Sequence, residues 1–199
     1  MGDRRLAETA LAVAVALLVS SGCGSEATDD FRGSTPPEGF TLPAFQLKDH
    51  TGAVVRSKEL RGKVVLVTFL DSQCTEACPV IAGQIGTALE QFSPDERTRV
   101  AAIAVTTDPG EDTPASVRTF LARHRAEGHL RYLIGSVAEL RPVWQAFRIL
   151  PSLDSGDDDI HSAPVRIFDR RGIWVSTLHA GADLTPANLA HDLRLSLES

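Results

Sequence analysis

Nowhere in this 199-residue sequence do more than two lysines or arginines stand side by side, and the formal charge is -6. Nucleic-acid binding calls for a basic face, so no nucleic-acid partner is expected. The apolar run from Ala10 to Val19 is too short to cross a hydrocarbon core, which takes about 20 apolar residues. Internal repeats are lacking, and cysteine is scarce, at three residues. What is present is ordinary for a soluble globular domain. Hydrophobic residues make up 43% and charged residues 23%, which argues against long disorder and against a polytopic membrane protein.

The first residues differ from the rest. Arg4 and Arg5 precede the apolar run, and Ser20, Ser21, Gly22 and Cys23 follow it. Basic, apolar, then small is the order of a secretory signal peptide. Ser20-Ser21-Gly22-Cys23 resembles a bacterial lipobox, which implies lipidation of Cys23 and a chain anchored to the outer face of the cell membrane. Gly24 to Gly39 is rich in Gly, Ser, Asp and Pro and has little to bury, so a flexible tether is expected there. A single domain is expected over 40–199.

Within that domain, two short strands, Phe45–Leu47 and Ala53–Val55, flank a turn at Asp49–Gly52. Lys63–Leu70 and Val100–Thr106 are near-continuous apolar runs, as in strands buried on both faces. Ile81, Ile85, Leu89 and Phe92 repeat at helical spacing and predict a helix over Pro79–Phe92. Thr113-Pro114 and Thr185-Pro186 read as helix starts, with Thr as N-cap and Pro at the first helical position. A short strand is expected at Arg131–Ile134. A helix follows over Ser136–Phe147, with Val137, Leu140, Trp144 and Phe147 facing inward. A hairpin, Pro164–Phe168 and Ile173–Leu178, precedes the last helix. Strands joined through helices, closed by an antiparallel hairpin, describe an α/β, thioredoxin-like three-layer fold with a mixed central sheet. About 160 residues suffice for a core without staples, which leaves the thiols free for chemistry.

Those thiols lie in Asp71-Ser72-Gln73-Cys74-Thr75-Glu76-Ala77-Cys78-Pro79. Proline is tolerated only in the first turn of a helix, so Cys78 belongs at a helix opening and Cys74 in the loop before it. Outward-pointing N–H groups there favour a thiolate. A three-residue spacer allows both sulfurs to reach one soft ion, or to close a disulfide in an oxidising compartment.

Strand, CxxxCP, helix is the pattern of the Sco/SenC family, which the chain resembles over roughly 40–198. Phe45–Gly52 is similar to that family's opening hairpin. Leu60–Val67 is similar to the entry to its central strand, and Thr107–Pro114 to its DPxxDTP segment. Ile160-His161-Ser162-Ala163 with Ile167-Phe168-Asp169 resembles its histidine loop and hairpin. The resemblance implies that Cys74, Cys78 and His161 hold one copper ion, Cu(I) or Cu(II). Soft Cu(I) prefers thiolates, and imidazole suits both oxidation states. The chain has Thr75 where family members often carry Pro. It has Ile160 where many carry Asp, with Asp157, Asp158 and Asp159 just upstream.

Two functions are open at this point. The resemblance implies a metallochaperone that delivers copper to the dinuclear copper site of cytochrome c oxidase, with subunit II or another copper protein as partner. The alternative is an enzyme, a thiol–disulfide oxidoreductase in which Cys74 and Cys78 are catalytic. A peroxiredoxin-like reading lacks its Thr and Arg context around Cys78. Asp108 and Asp112 are expected to act locally, at a turn and a helix start. His50, His124, His129, His179 and His191 are expected to face solvent.

Overall fold

Strand β3 (Val64–Leu70) is buried along its whole length, and its side chains alternate between two cores, as the pleat of a strand requires. Val64, Leu66 and Leu70 point into one cluster, with Ile81, Ile85, Val117, Phe120, Leu189 and Leu193. Val65, Val67 and Phe69 point into the other, with Leu140, Trp144 and Phe147. The computed structural model describes residues 30–149 and 163–199.

Around β3 lie β1 (Gln46–Asp49), β2 (Val54–Arg56), β4 (Val100–Thr106), β5 (Arg131–Ile134), β6 (Val165–Phe168) and β7 (Trp174–Leu178). They form one seven-stranded sheet in the order β2-β1-β5-β4-β3-β6-β7. β3 and β4 pair in parallel, as do β4 and β5, and the outer pairs are antiparallel. Helices α1 (Ala77–Glu90), α3 (Pro114–Arg123) and α5 (Pro186–Glu198) contribute to the first cluster, and α4 (Val137–Phe147) to the second. Helix, sheet, helix is the thioredoxin-like three-layer arrangement expected from the sequence.

The caps follow their sequence signals. Thr113 and Thr185 accept hydrogen bonds from Ser116 and Asn188, each with Pro at the first helical turn. The differences are local. Helix α1 opens at Ala77, two residues earlier than expected, which still leaves Pro79 in the first turn. Val137 is 38% exposed, and Val143 faces the core instead. A short helix, α2 (Pro94–Thr98), and a 3-10 turn at Ser57–Leu60 were not expected. Helix α2 rests on a Ser93/Glu96 capping box and buries no side chain, so it carries no apolar period to find.

Of the expected tether, residues 30–39 are described, and several of them bond to the domain, while residues 24–29 lie outside the described residues. The backbone N–H groups of Arg32 and Gly33 donate to the Asp192 carboxylate at 2.7 and 3.0 Å. Ser34 bridges to Thr177, and Thr41 bridges to Ile173. A Cβ on Gly33 would lie 2.3 Å from the Ser176 hydroxyl oxygen and 2.6 Å from the Thr177 carbonyl oxygen, so this approach depends on glycine.

Candidate metal centre

Leu70 ends β3, and the chain turns through residues 71–76 into α1. Three hydrogen bonds hold this turn. The Gln73 N–H donates to the Asp71 carboxylate at 2.7 Å. The Ser72 N–H donates to Asp112 at 2.9 Å. The Thr107 N–H donates to the Leu70 carbonyl at 2.9 Å. Asp112 also accepts from the Thr106 hydroxyl at 2.5 Å and from the Tyr132 hydroxyl at 2.7 Å. It is buried and ties the cysteine turn to β4 and β5. That is more than the local helix-start role expected of it. Asp108 behaves as expected and accepts from Gly110 N–H at 3.0 Å in its own turn.

The structure brings Cys74 and Cys78 together as free thiols, Cys74 half-buried and Cys78 buried. Their environments drive them apart. The Cys74 sulfur receives a hydrogen bond from the Cys78 thiol, opposed by burial, and further ones from the backbone N–H groups of Cys78, Glu76 and Ala77. These donors, at the opening of α1, lower its pKa to about 5. Cys78 donates to that sulfur and is buried, and both effects push its thiol far above the ordinary range. Asp71 is raised to about 6, first by burial, although the Gln73 N–H opposes this; the charges of Asp112, Asp108 and Cys74 then add to it. At neutral pH the pair is one thiolate and one thiol.

Cys74 opens onto a cleft of about 620 Å³. One wall is the turn from Ser72 to Thr75, and the other is α3 through Ser116, Thr119 and Phe120, continuing to His124. His124 packs on Phe120, with 4.8 Å between ring centroids, so it lines the cleft rather than facing open solvent. Burial and then Arg123 lower its pKa. His191 also departs from expectation: it is 21% exposed and lies 2.9 Å from Asp192. His50 has a buried Nδ1 with no hydrogen-bond partner. His179 is exposed, 3.9 Å from Asp183.

His161, Cys23 and the acidic run Asp157–Asp159 lie outside the described residues. Among the described residues no group of three His, Cys, Asp or Glu is placed to hold a metal ion. The donor chemistry of the two cysteines nevertheless fits a soft ion such as Cu(I). One sulfur is already a thiolate, and the other sits beside it behind an open cleft. No helix among the described residues is long and apolar enough to cross a membrane.

Residues 34–198 match the SCO1/SenC family profile. A SCO2-like protein of Rickettsia typhi is 25% identical over 159 residues, which span 76% of this chain and 75% of that protein. The copper-bound structure of ScoI from Bradyrhizobium japonicum is 31% identical, with a TM-score of 0.65 over 79% of this chain and all of that one. BsSco, described as a member of the Sco family of cytochrome c oxidase assembly proteins, superposes with a TM-score of 0.68 at 19% identity. That match covers 82% of this chain and 98% of the other.

Proposed function

Because this chain belongs to the SCO1/SenC family, we propose that it is a copper chaperone that carries copper to the dinuclear copper site of cytochrome c oxidase. Cys74, Cys78 and His161 are the ligands in this reading. Copper is cargo, held by two thiolates and one imidazole and passed to an acceptor by ligand exchange. The observation that carries the reading is the unequal cysteine pair. Cys74 offers a ready thiolate to an ion arriving through the cleft, and Cys78 gives up its proton as the second sulfur binds. The acceptor is subunit II of the oxidase or another copper protein.

The same pair supports a second reading, thiol–disulfide exchange. The Cys74 thiolate attacks one sulfur of a partner disulfide, forms a mixed disulfide and releases the partner's other sulfur as a thiolate. Cys78 then loses its proton and attacks the Cys74 sulfur. This closes a Cys74–Cys78 disulfide and frees the reduced partner. The low pKa of Cys74 is the observation that favours it, and both activities can reside in one site.

Anaerobic titration with Cu(I) tests the chaperone reading. The reduced protein is expected to bind one copper ion. His161→Ala is expected to weaken binding by about tenfold or more while disulfide exchange continues. Unchanged copper binding with lost exchange would favour the oxidoreductase. We further propose that Cys23 is lipidated and holds the domain on the outer face of the bacterial membrane. Mass spectrometry of the membrane-extracted protein is expected to find the lipid on Cys23.

A further inference from the structure

The sequence has no basic cluster, but the fold builds one. The turn before β3 carries Arg61 and Lys63, and the β6–β7 hairpin carries Arg170 and Arg171. The two turns meet where the Gly62 N–H donates to the Arg170 carbonyl at 3.1 Å. All four cations line one cleft of about 250 Å³. One carboxylate lies beside them, Asp169, buried and bonded to Arg171 at 2.7 Å. Arg61, Lys63 and Arg170 have no carboxylate partner among the described residues. In a chain of formal charge -6, this end carries a surplus of positive charge.

Apolar groups flank the cleft. Ile173 is 37% exposed at the hairpin. Trp174 follows it, packed edge-on against Phe40 at 5.3 Å between ring centroids. Cations beside an exposed aliphatic side chain, with a half-buried indole one residue further on, suit an anionic bilayer interface. Thr41 and Leu42 line the same cleft, where the N-terminal segment, first bridged to the sheet at Ser34 and Thr177, ends its run along it.

The position along the sheet gives this patch a consequence. Arg61 and Lys63 precede the first residue of β3, and Cys74 follows its last. Seven residues at about 3.3 Å each separate the two ends by about 20 Å. Asp71, Asp108 and Asp112 crowd the cysteine end. Charge is therefore split along β3, cationic at the foot and anionic around the thiols.

We propose that the cleft of Arg61, Lys63, Arg170 and Arg171 docks on the phosphate headgroups of an anionic lipid bilayer and turns the cysteine end away from it. The proposal rests on the reading that the chain is membrane-anchored. The tether keeps the domain close to the surface, and the cations then fix its orientation.

The test uses the full, anchored chain on vesicles whose lipids carry bromine in the acyl chains. Trp174 is the reporter, since Trp144 is 2% exposed in the core. Emission is expected to be quenched on brominated phosphatidylglycerol vesicles and not on brominated phosphatidylcholine. Quenching should vanish in about 1 M salt, where the screening length is about 3 Å, and in a Trp174→Phe control. The triple variant Arg61→Gln, Lys63→Gln, Arg170→Gln is expected to lose the quenching. Its sedimentation with the vesicles reads the anchor separately. Equal quenching on both lipids, or quenching that survives in the triple variant, overturns the proposal. So does inorganic phosphate that binds the cleft while Trp174 stays unquenched on vesicles, which would mark a site for a soluble anion.

Discussion

The Cys74 sulfur takes three backbone N–H donors and a thiol donor, while Cys78 gives its only proton to that sulfur. A titration distinguishes the two. Alkylation of Cys74 should rise with pH through about 5 and be flat near neutrality, because its thiolate is the form favoured above its lowered pKa. An ordinary thiol rises near 8.5. Cys78 should resist the reagent throughout. Proton release gives a second reading of the same asymmetry. At pH 7, loading Cu(I) should release one proton, from Cys78, because Cys74 has already lost its own. Well below pH 5 Cys74 should add a second proton and the His161 imidazole of the proposed site a third. Asp71 adds its charge to the forces that hold the Cys78 proton. Asp71→Asn should therefore make Cys78 more reactive at a given alkaline pH than it is in the unsubstituted protein. The buried Tyr132 hydroxyl donates to Asp112 at 2.7 Å. Tyr132→Phe removes one bond to a carboxylate and should cost about 1.5–3 kcal/mol. Thermal unfolding would show this as a fall of about 3–10 °C in Tm.

At the scale of elements, what could be read in advance depended on how much a segment buries. β3 and β4 declare themselves by continuous apolar runs, since both faces are covered. α3 and α5 declare themselves by Thr-Pro starts. α2 buries nothing, and its capping box is a polar signal that apolar periodicity does not register. Val137 has the right residue type on a helix, but at the first position of α4 it projects beyond the core that Val143 enters. At the site, the CxxxCP spacing located both cysteines. The role of Asp112 was hidden, because its partners Ser72, Thr106 and Tyr132 are set by tertiary packing. The basic foot was hidden for the same reason, being made of two turns far apart in the chain. Packing between elements also predicts a sensitive glycine. A Cβ on Gly86 of α1 would lie 2.1 Å from the Arg125 carbonyl oxygen. Gly86→Ala should therefore destabilise by about 1–3 kcal/mol through overpacking, despite better helix propensity. Denaturant titration would show it as a lower midpoint.

For the molecule as a whole, the N-terminal segment and α5 are joined through one carboxylate. Asp192 accepts from Arg32, Gly33 and the Ser176 hydroxyl. Asp192→Asn weakens three contacts at once. Amide hydrogen exchange is expected to speed at residues 32–34 while β3 and β4 stay protected, because local opening does not require the core to unfold.

The contacts of Ser34 with Thr177 and of Thr41 with Ile173 lie along β7, the terminal strand of the sheet. An open terminal strand is a template on which a second copy can zip, and such pairing grows into aggregates. Here the chain's own leading segment covers part of that template, and the opposite rim, β2, is only three residues long. Copies crowded together are thus denied a long bare strand on either side. Removing residues 30–42 should leave the cysteines in place and cost the protein its colloidal solubility.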